Sequence, residues 1–107
     1  MGRALLAGVA LAATLILPVP VIAAGKTHNI AIEGMKYVPE RLEVQAGATV
    51  IWSNKDLVPH TVTAAKASIE SGSIAPGANW KLTVRRKGQI DYVCRFHPEM
   101  HGTLVVR

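Results

Sequence analysis

The sequence predicts an all-β domain, a Greek-key β-sandwich or barrel of about seven to eight strands, preceded by a secretory leader. Three observations predict it. After residue 25 no stretch repeats apolar residues at helical spacing, while short alternating segments recur between turn residues. Before residue 25 the chain is nearly all apolar. Finally, Cys94, His97 and Met100 crowd into what would be the loop joining the last two strands.

The leader comes first in the chain. Met1-Gly2-Arg3 gives a short positive start, and Ala4 to Leu17 is an apolar run with one hydroxyl, Thr14. Pro18 and Pro20 break any helix, and Val21-Ile22-Ala23-Ala24 offers small residues at signal-peptidase spacing. Residues 1–24 therefore read as a signal peptide cut after Ala23 or Ala24, the alternative being an uncleaved anchor. The run before Pro18 is short of the roughly 20 residues that span a bilayer, which favours cleavage. A single arginine gives no twin-arginine signal, so export is expected by the ordinary unfolded route. The mature domain, residues 25–107, is then periplasmic, with no stable membrane insertion after cleavage.

With 107 residues and 50% apolar content inflated by the leader, the chain holds one small domain, expected to be a monomer. A lone Cys94 in an exported chain makes no internal disulfide; it is free, intermolecular or a metal ligand. An exposed free thiol is a liability in an oxidising compartment, which favours the ligand, and so small a core benefits from a metal staple. Setting Arg3 aside leaves eleven Lys and Arg against seven Asp and Glu, a net charge of +4. The only basic cluster, Arg85-Arg86-Lys87, precedes Gly88 where a hairpin tip is expected. It reads as a solvated turn, with steering of an acidic partner as the second reading. Nucleic-acid binding is excluded for want of a basic face interleaved with aromatics.

In order, residues 28–32 read as a strand with Ile30 and Ile32 on one face, and 34–40 as a connection that Pro39 keeps irregular. Residues 41–44 alternate with Leu42 and Val44 inward, 45–48 turn, and 49–54 form the next strand. There Val50, Trp52 and Asn54 share a face; Trp52 makes it the core face, so Asn54 points inward and its amide needs partners. A strand is expected over 60–64, with His60, Val62 and Ala64 on one face and Thr61 and Thr63 on the other. Residues 66–79, rich in Ser, Gly and Pro, read as loop with Ile69 and Ile74 inward. Strands follow at 80–84, 90–94 and 102–106, and Cys94 shares a face with Ile90 and Tyr92.

Strand ends of a sandwich collect at two poles, so His60 can meet the Cys94–Met100 loop despite the distance between them in sequence. Two imidazoles and a thiolate with a weak axial thioether are the donors of a blue-copper electron-transfer site. His28 and His101 are expected away from the metal, and Met35 as apolar cover near it. Trp52 and Trp80 belong to the core.

Four stretches carry a resemblance: Met35-Lys36-Tyr37, Gly47 through Asn54, Pro59-His60-Thr61-Val62 and Tyr92 through Met100. On these the mature chain resembles the cupredoxin, or blue copper, family. Within it, the short Cys-x2-His-x2-Met loop is similar to the amicyanin branch, with plastocyanins and pseudoazurins further off. The resemblance implies one copper ion cycling between Cu(I) and Cu(II), held by His60, Cys94, His97 and Met100. It also implies that the Asn54 side chain ties the two ligand loops together beside the thiolate. Pro98 removes one N–H donor from the loop and keeps the metal's surroundings less polar. His97 would be the ligand nearest solvent and the electron port. The pattern departs at Phe96, where amicyanins carry proline, and at Glu99, where they carry an aromatic. Glu99 puts a charge on the rim of the apolar docking patch, so the likeness is not extended to methylamine dehydrogenase as partner.

Three classes of function compete. A one-electron carrier passing electrons between redox proteins, such as a c-type cytochrome or a periplasmic dehydrogenase, leads. A copper supply or resistance protein with the metal as cargo is the alternative, although the exposed Met- and His-rich tracts such proteins use are absent. A copper enzyme would need a second metal site, and four His with one Cys cannot furnish both.

Overall fold

The computed structural model describes residues 2, 4, 7–18 and 25–107. The expected cleavage points after Ala23 and Ala24 lie outside the described residues. Among those described, no helix is long and apolar enough to cross a membrane.

The first strand, β1 (Thr27–Ile32), runs parallel to β4 (Thr49–Asn54), with Ile30 opposite Trp52 and Ile32 opposite Asn54. β2 (Tyr37–Val38) flanks β1 and β7 (Asn79–Thr83) flanks β4, giving a four-stranded sheet in the order β2-β1-β4-β7. The second sheet runs β3-β9-β8-β5-β6. It contains β3 (Arg41–Val44), β5 (Thr63–Ala64), β6 (Ile69–Glu70), β8 (Gly88–Val93) and β9 (His101–Val106). A single 3-10 turn covers Ala65–Ala67.

Alternation along the strands builds the core. In β4 the pattern is strict: Val50, Trp52 and Asn54 are buried, and Thr49, Ile51 and Ser53 are partly exposed. Trp52 meets Tyr92 edge-on at 5.6 Å between the sheets, and Tyr92 meets Tyr37 at 4.7 Å. Such edge-to-face pairs add roughly 0.5–1.5 kcal/mol beyond area burial. Gly102 lies opposite Tyr92, and a Cβ there would fall 2.3 Å from its ring. Only glycine lets the ring lie across β9.

Three sequence expectations change. The connection over 34–40 contains β2, which adds a short edge to β1 before Pro39. The strand expected over 60–64 shrinks to Thr63–Ala64, with His60 held in an isolated bridge to Ile74. Its predicted alternation fails because His60, Thr61 and Val62 are all no more than 1% exposed. Thr61 is buried by hydrogen bonding rather than by apolarity. The loop over 66–79 carries the 3-10 turn and β6; Ile74 is buried as expected and Ile69 partly so.

The strand directions define two poles. One gathers the segments 33–36, 55–60 and 94–100. The opposite pole gathers 25–26, 45–48 and the 84–88 hairpin, where Gly47 N–H donates to Val84 O and Ala46 N–H to Arg107 O.

Candidate metal centre

Asn54 ends β4 at the first pole, inward and 1% exposed, as its register predicts. Its Oδ1 accepts from the Asp56 N–H at 2.9 Å, an Asx turn that sends the chain into the 55–59 loop. Its Nδ2 donates to Val58 O at 2.8 Å and Ile74 O at 2.9 Å. These bonds fix the approach to His60 and the segment bridged to it. They do not reach the Cys94 loop, so the expected tie between ligand loops is not made by Asn54. The side chain stands level with its own following loop and is used up capping it.

Thr61 makes that tie. Its N–H faces Cys94 Sγ at 3.4 Å, and its Oγ1 accepts from the Arg95 N–H at 2.9 Å. The Tyr37 hydroxyl donates to its carbonyl, and burial together with the nearby Cys94 holds that phenol far above its ordinary range. The hydroxyl of Thr61 meets Thr63 Oγ1, which donates to Glu70, and Glu70 pairs with the Arg95 guanidinium at 3.2 Å. The bond from Thr63 leads the causes that draw Glu70 below the usual carboxylate range. The circuit returns to the residue after Cys94.

His60 is fully buried, and Nε2 sits 2.8 Å from Asp56 Oδ2. The same carboxylate accepts from the N–H groups of Gly34 at 2.8 Å and Met35 at 3.0 Å. Burial raises the Asp56 pKa, but the Met35 and Gly34 amides and then His60 outweigh it, so the carboxyl lies below its ordinary value. A carboxylate at Nε2 favours the tautomer with its proton there, leaving the Nδ1 lone pair free as a ligand. Nδ1 faces Cys94 Sγ at 3.7 Å. Asp56 also steadies the next loop, where Met35 adopts a left-handed φ of 59° that non-glycine residues rarely visit. In sequence Asp56 stands four residues before His60, and outside a helix that spacing implies no contact.

The rest of the site is one tight loop. His97 N–H donates to Cys94 O at 3.3 Å, Met100 N–H to His97 O at 2.8 Å, and Cys94 N–H to Met100 O at 3.2 Å. Pro98 lies inside these turns with no N–H to leave unpaired. Cys94 is 0% and Met100 5% exposed, whereas His97 is half-buried with its ring 5.3 Å from that of His60. Among the described residues no three His, Cys, Asp or Glu side chains are already gathered closely enough to hold a metal. His60 and Cys94 face each other, and a shift of the His97 ring toward them would complete three strong donors, with Met100 on the same loop. His101 is exposed, its Nε2 2.9 Å from Glu40, and His28 begins β1 near the opposite pole. Both lie apart from the site. The donor set, two imidazoles and a thiol with a thioether and no carboxylate among them, suits copper better than a hard cation.

The family model of the cupredoxin-like domain matches residues 5–106. Amicyanin of Paracoccus denitrificans is 33% identical over 82 residues, which cover 72% of this chain and 63% of that protein. For amicyanin of Paracoccus versutus the values are 30%, 72% and 62%, so the chain spans under two thirds of these two relatives' length. Amicyanin-alpha of Methylorubrum extorquens is 30% identical over 102 residues, 91% of this chain and 85% of the relative. Among solved structures, a Cu(I) form of an amicyanin variant superposes with a TM-score of 0.72 at 30% identity, covering 76% of this chain and 82% of that one. An oxidised variant of amicyanin gives 0.72 at 32% identity, covering 81% and 87%. With the family model matching residues 5–106 and a relative 30% identical and covered over 85% of its length, the chain belongs to the cupredoxin-like domain family.

Proposed function

We propose that the protein is a type 1 copper protein that shuttles single electrons between redox partners in the periplasm, and is not an enzyme. The observation that carries this is the buried meeting of His60 Nδ1 and Cys94 Sγ at 3.7 Å, with the imidazole held from behind by Asp56. His60, Cys94, His97 and Met100 would hold the ion. Copper, when bound, supplies the one-electron change between Cu(I) and Cu(II).

The protein's own part is rigidity and access. Asn54 and Asp56 fix His60, and the Thr61 N–H, aimed at the sulfur, offsets its negative charge when ionised. Fixed ligands limit rearrangement between the two charge states. His97 is the half-buried ligand, flanked by Phe96, which is 48% exposed, and by Met35, which is 40% exposed. An apolar surface around a ligand edge suits brief docking of a c-type cytochrome or a periplasmic dehydrogenase. Glu99 on the same loop is exposed and selects against a negatively charged docking face. Residues 1–24 act as the export signal in this reading, and the mature domain works as a monomer.

Adding Cu(II) to the purified protein tests the proposal. An intense visible copper–thiolate band, bleached by ascorbate and restored by an oxidant over many cycles, is expected. A colourless protein that binds Cu(I) tightly would instead assign it to copper supply.

A further inference from the structure

The carboxylates of the domain are segregated by pole, whereas the cations are shared, with Lys36, Lys55 and Arg95 at the Cys94 end. Five of the seven carboxylates, Glu33, Glu40, Asp56, Glu70 and Glu99, lie toward the Cys94 end, and Asp91 lies along β8. The opposite pole holds Lys26, Arg85, Arg86, Lys87 and Arg107 against Glu43 alone. Register fixes this: Thr27 pairs with Thr49, Thr49 with Thr83, and Gly88 with Val106, so both chain ends and the hairpin tip share one end. Glu43 is engaged by Arg107 at 3.0 Å. Among the described residues no carboxylate lies within ion-pair distance of Lys26, Arg85, Arg86 or Lys87. All four are exposed, and Gly88, with a φ of 131°, lets the tip turn back into β8.

A second observation says what this pole faces. Gly25 leaves the domain there, so close to the 45–48 turn that a Cβ would fall 2.2 Å from Gly47 O. The chain before it is the apolar run. Val9, Leu11, Leu15, Ile16 and Leu17 are 72–89% exposed, with no face of the sandwich covering them. A basic pole at the root of an uncovered apolar segment is complementary to a bilayer with negative headgroups.

We propose that the Lys26/Arg85–Lys87 pole docks on anionic phospholipid headgroups and turns the Cys94 pole toward partners on the far side. The docking is peripheral and electrostatic. It serves the chain while the leader is attached and the mature domain afterwards, and it does not depend on the copper reading.

The test uses the full chain and vesicles of phosphatidylcholine alone or with about one third phosphatidylglycerol. Binding to the neutral vesicles reports the apolar run. The charged vesicles should bind at least tenfold more tightly, and the excess should vanish near 1 M salt, where the screening length falls to about 3 Å. Arg85→Gln/Arg86→Gln/Lys87→Gln should lose most of that excess, roughly a hundredfold at full headgroup contact, while neutral-vesicle binding stays unchanged. Amide shifts on binding should gather at residues 25–27, 45–47 and 85–88. Equal binding to both vesicles overturns the proposal and returns the tip to an acidic protein or to solvent. So does a phosphatidylglycerol preference that survives the triple substitution, or shifts centred on Phe96 and His97.

Discussion

The two halves of the metal centre are built differently. His60 is gripped on every side: Asp56 at Nε2, a bridge to Ile74, and an approach loop pinned by Asn54. His97 is half-buried in a short loop closed by its own backbone turns. One side is a buried wall and the other a half-exposed door. A centre that must hold its geometry and yet touch a partner needs both, and the sequence puts them far apart so that different elements can supply them.

Exchanging the two histidines sharpens this contrast most. His60→Gly empties a fully buried position and takes one of three hydrogen-bond partners from Asp56, so a loss of roughly 3–5 kcal/mol in urea unfolding is expected, with no recovery of copper colour. His97→Gly should cost under about 1 kcal/mol and regain a visible band when free imidazole is added, since solvent reaches that side. Equal behaviour of the two variants would erase the distinction between wall and door.

Thr61 joins the halves. Thr61→Val keeps the shape but orphans the Arg95 N–H and breaks the Thr63–Glu70 circuit, which should lower stability by about 1–3 kcal/mol. The copper–thiolate band should shift as well, because the Cys94 loop loses its anchor. Asp56→Asn should lower metal affinity about tenfold to a hundredfold, the usual effect of removing a partner behind a ligating histidine. Folding lowers the Asp56 pKa, so its contribution is complete above the ordinary carboxylate range and fades as pH falls below it. Acid unfolding of the apo protein followed by circular dichroism should therefore lose part of its acid limb in Asp56→Asn.

The smallest effects separate two tyrosines. The Tyr37 hydroxyl donates to Thr61 O, whereas among the described residues the Tyr92 hydroxyl and Trp52 Nε1 have no partner within hydrogen-bonding geometry. Tyr37→Phe should cost about 1–2 kcal/mol, and Tyr92→Phe should be neutral or stabilising, because it removes a buried unpaired group. Burial pushes the Tyr92 phenol up to about 12, so wild-type stability should fall as pH rises above 10 and the unfolded tyrosine ionises first. Tyr92→Phe should flatten part of that decline.

These residues also show what the sequence could tell. Period-two alternation placed Trp52 and Asn54 inward and Cys94 at a strand end, because burial on one face leaves a clear pattern. It failed over 60–62, where both faces are buried and the polar Thr61 is held by hydrogen bonds. Residue spacing gathered Cys94, His97 and Met100, and the meeting of strand ends at one pole added His60. Asp56 and Thr61 escaped notice because their importance lies in partners distant in sequence, Gly34, Met35 and Arg95, which only the tertiary fold supplies. The basic tip was legible as charge; that the chain enters the domain at Gly25 by the same pole required the strand register.

The most direct test of the central claim is a crystal structure of the copper-loaded protein, with the metal located by anomalous scattering. One copper is expected, bonded to His60 Nδ1, Cys94 Sγ, His97 and Met100. The His60 side should be unmoved and the His97 ring drawn inward. Copper bound elsewhere, or a His60 loop rearranged while His97 stays still, would contradict it.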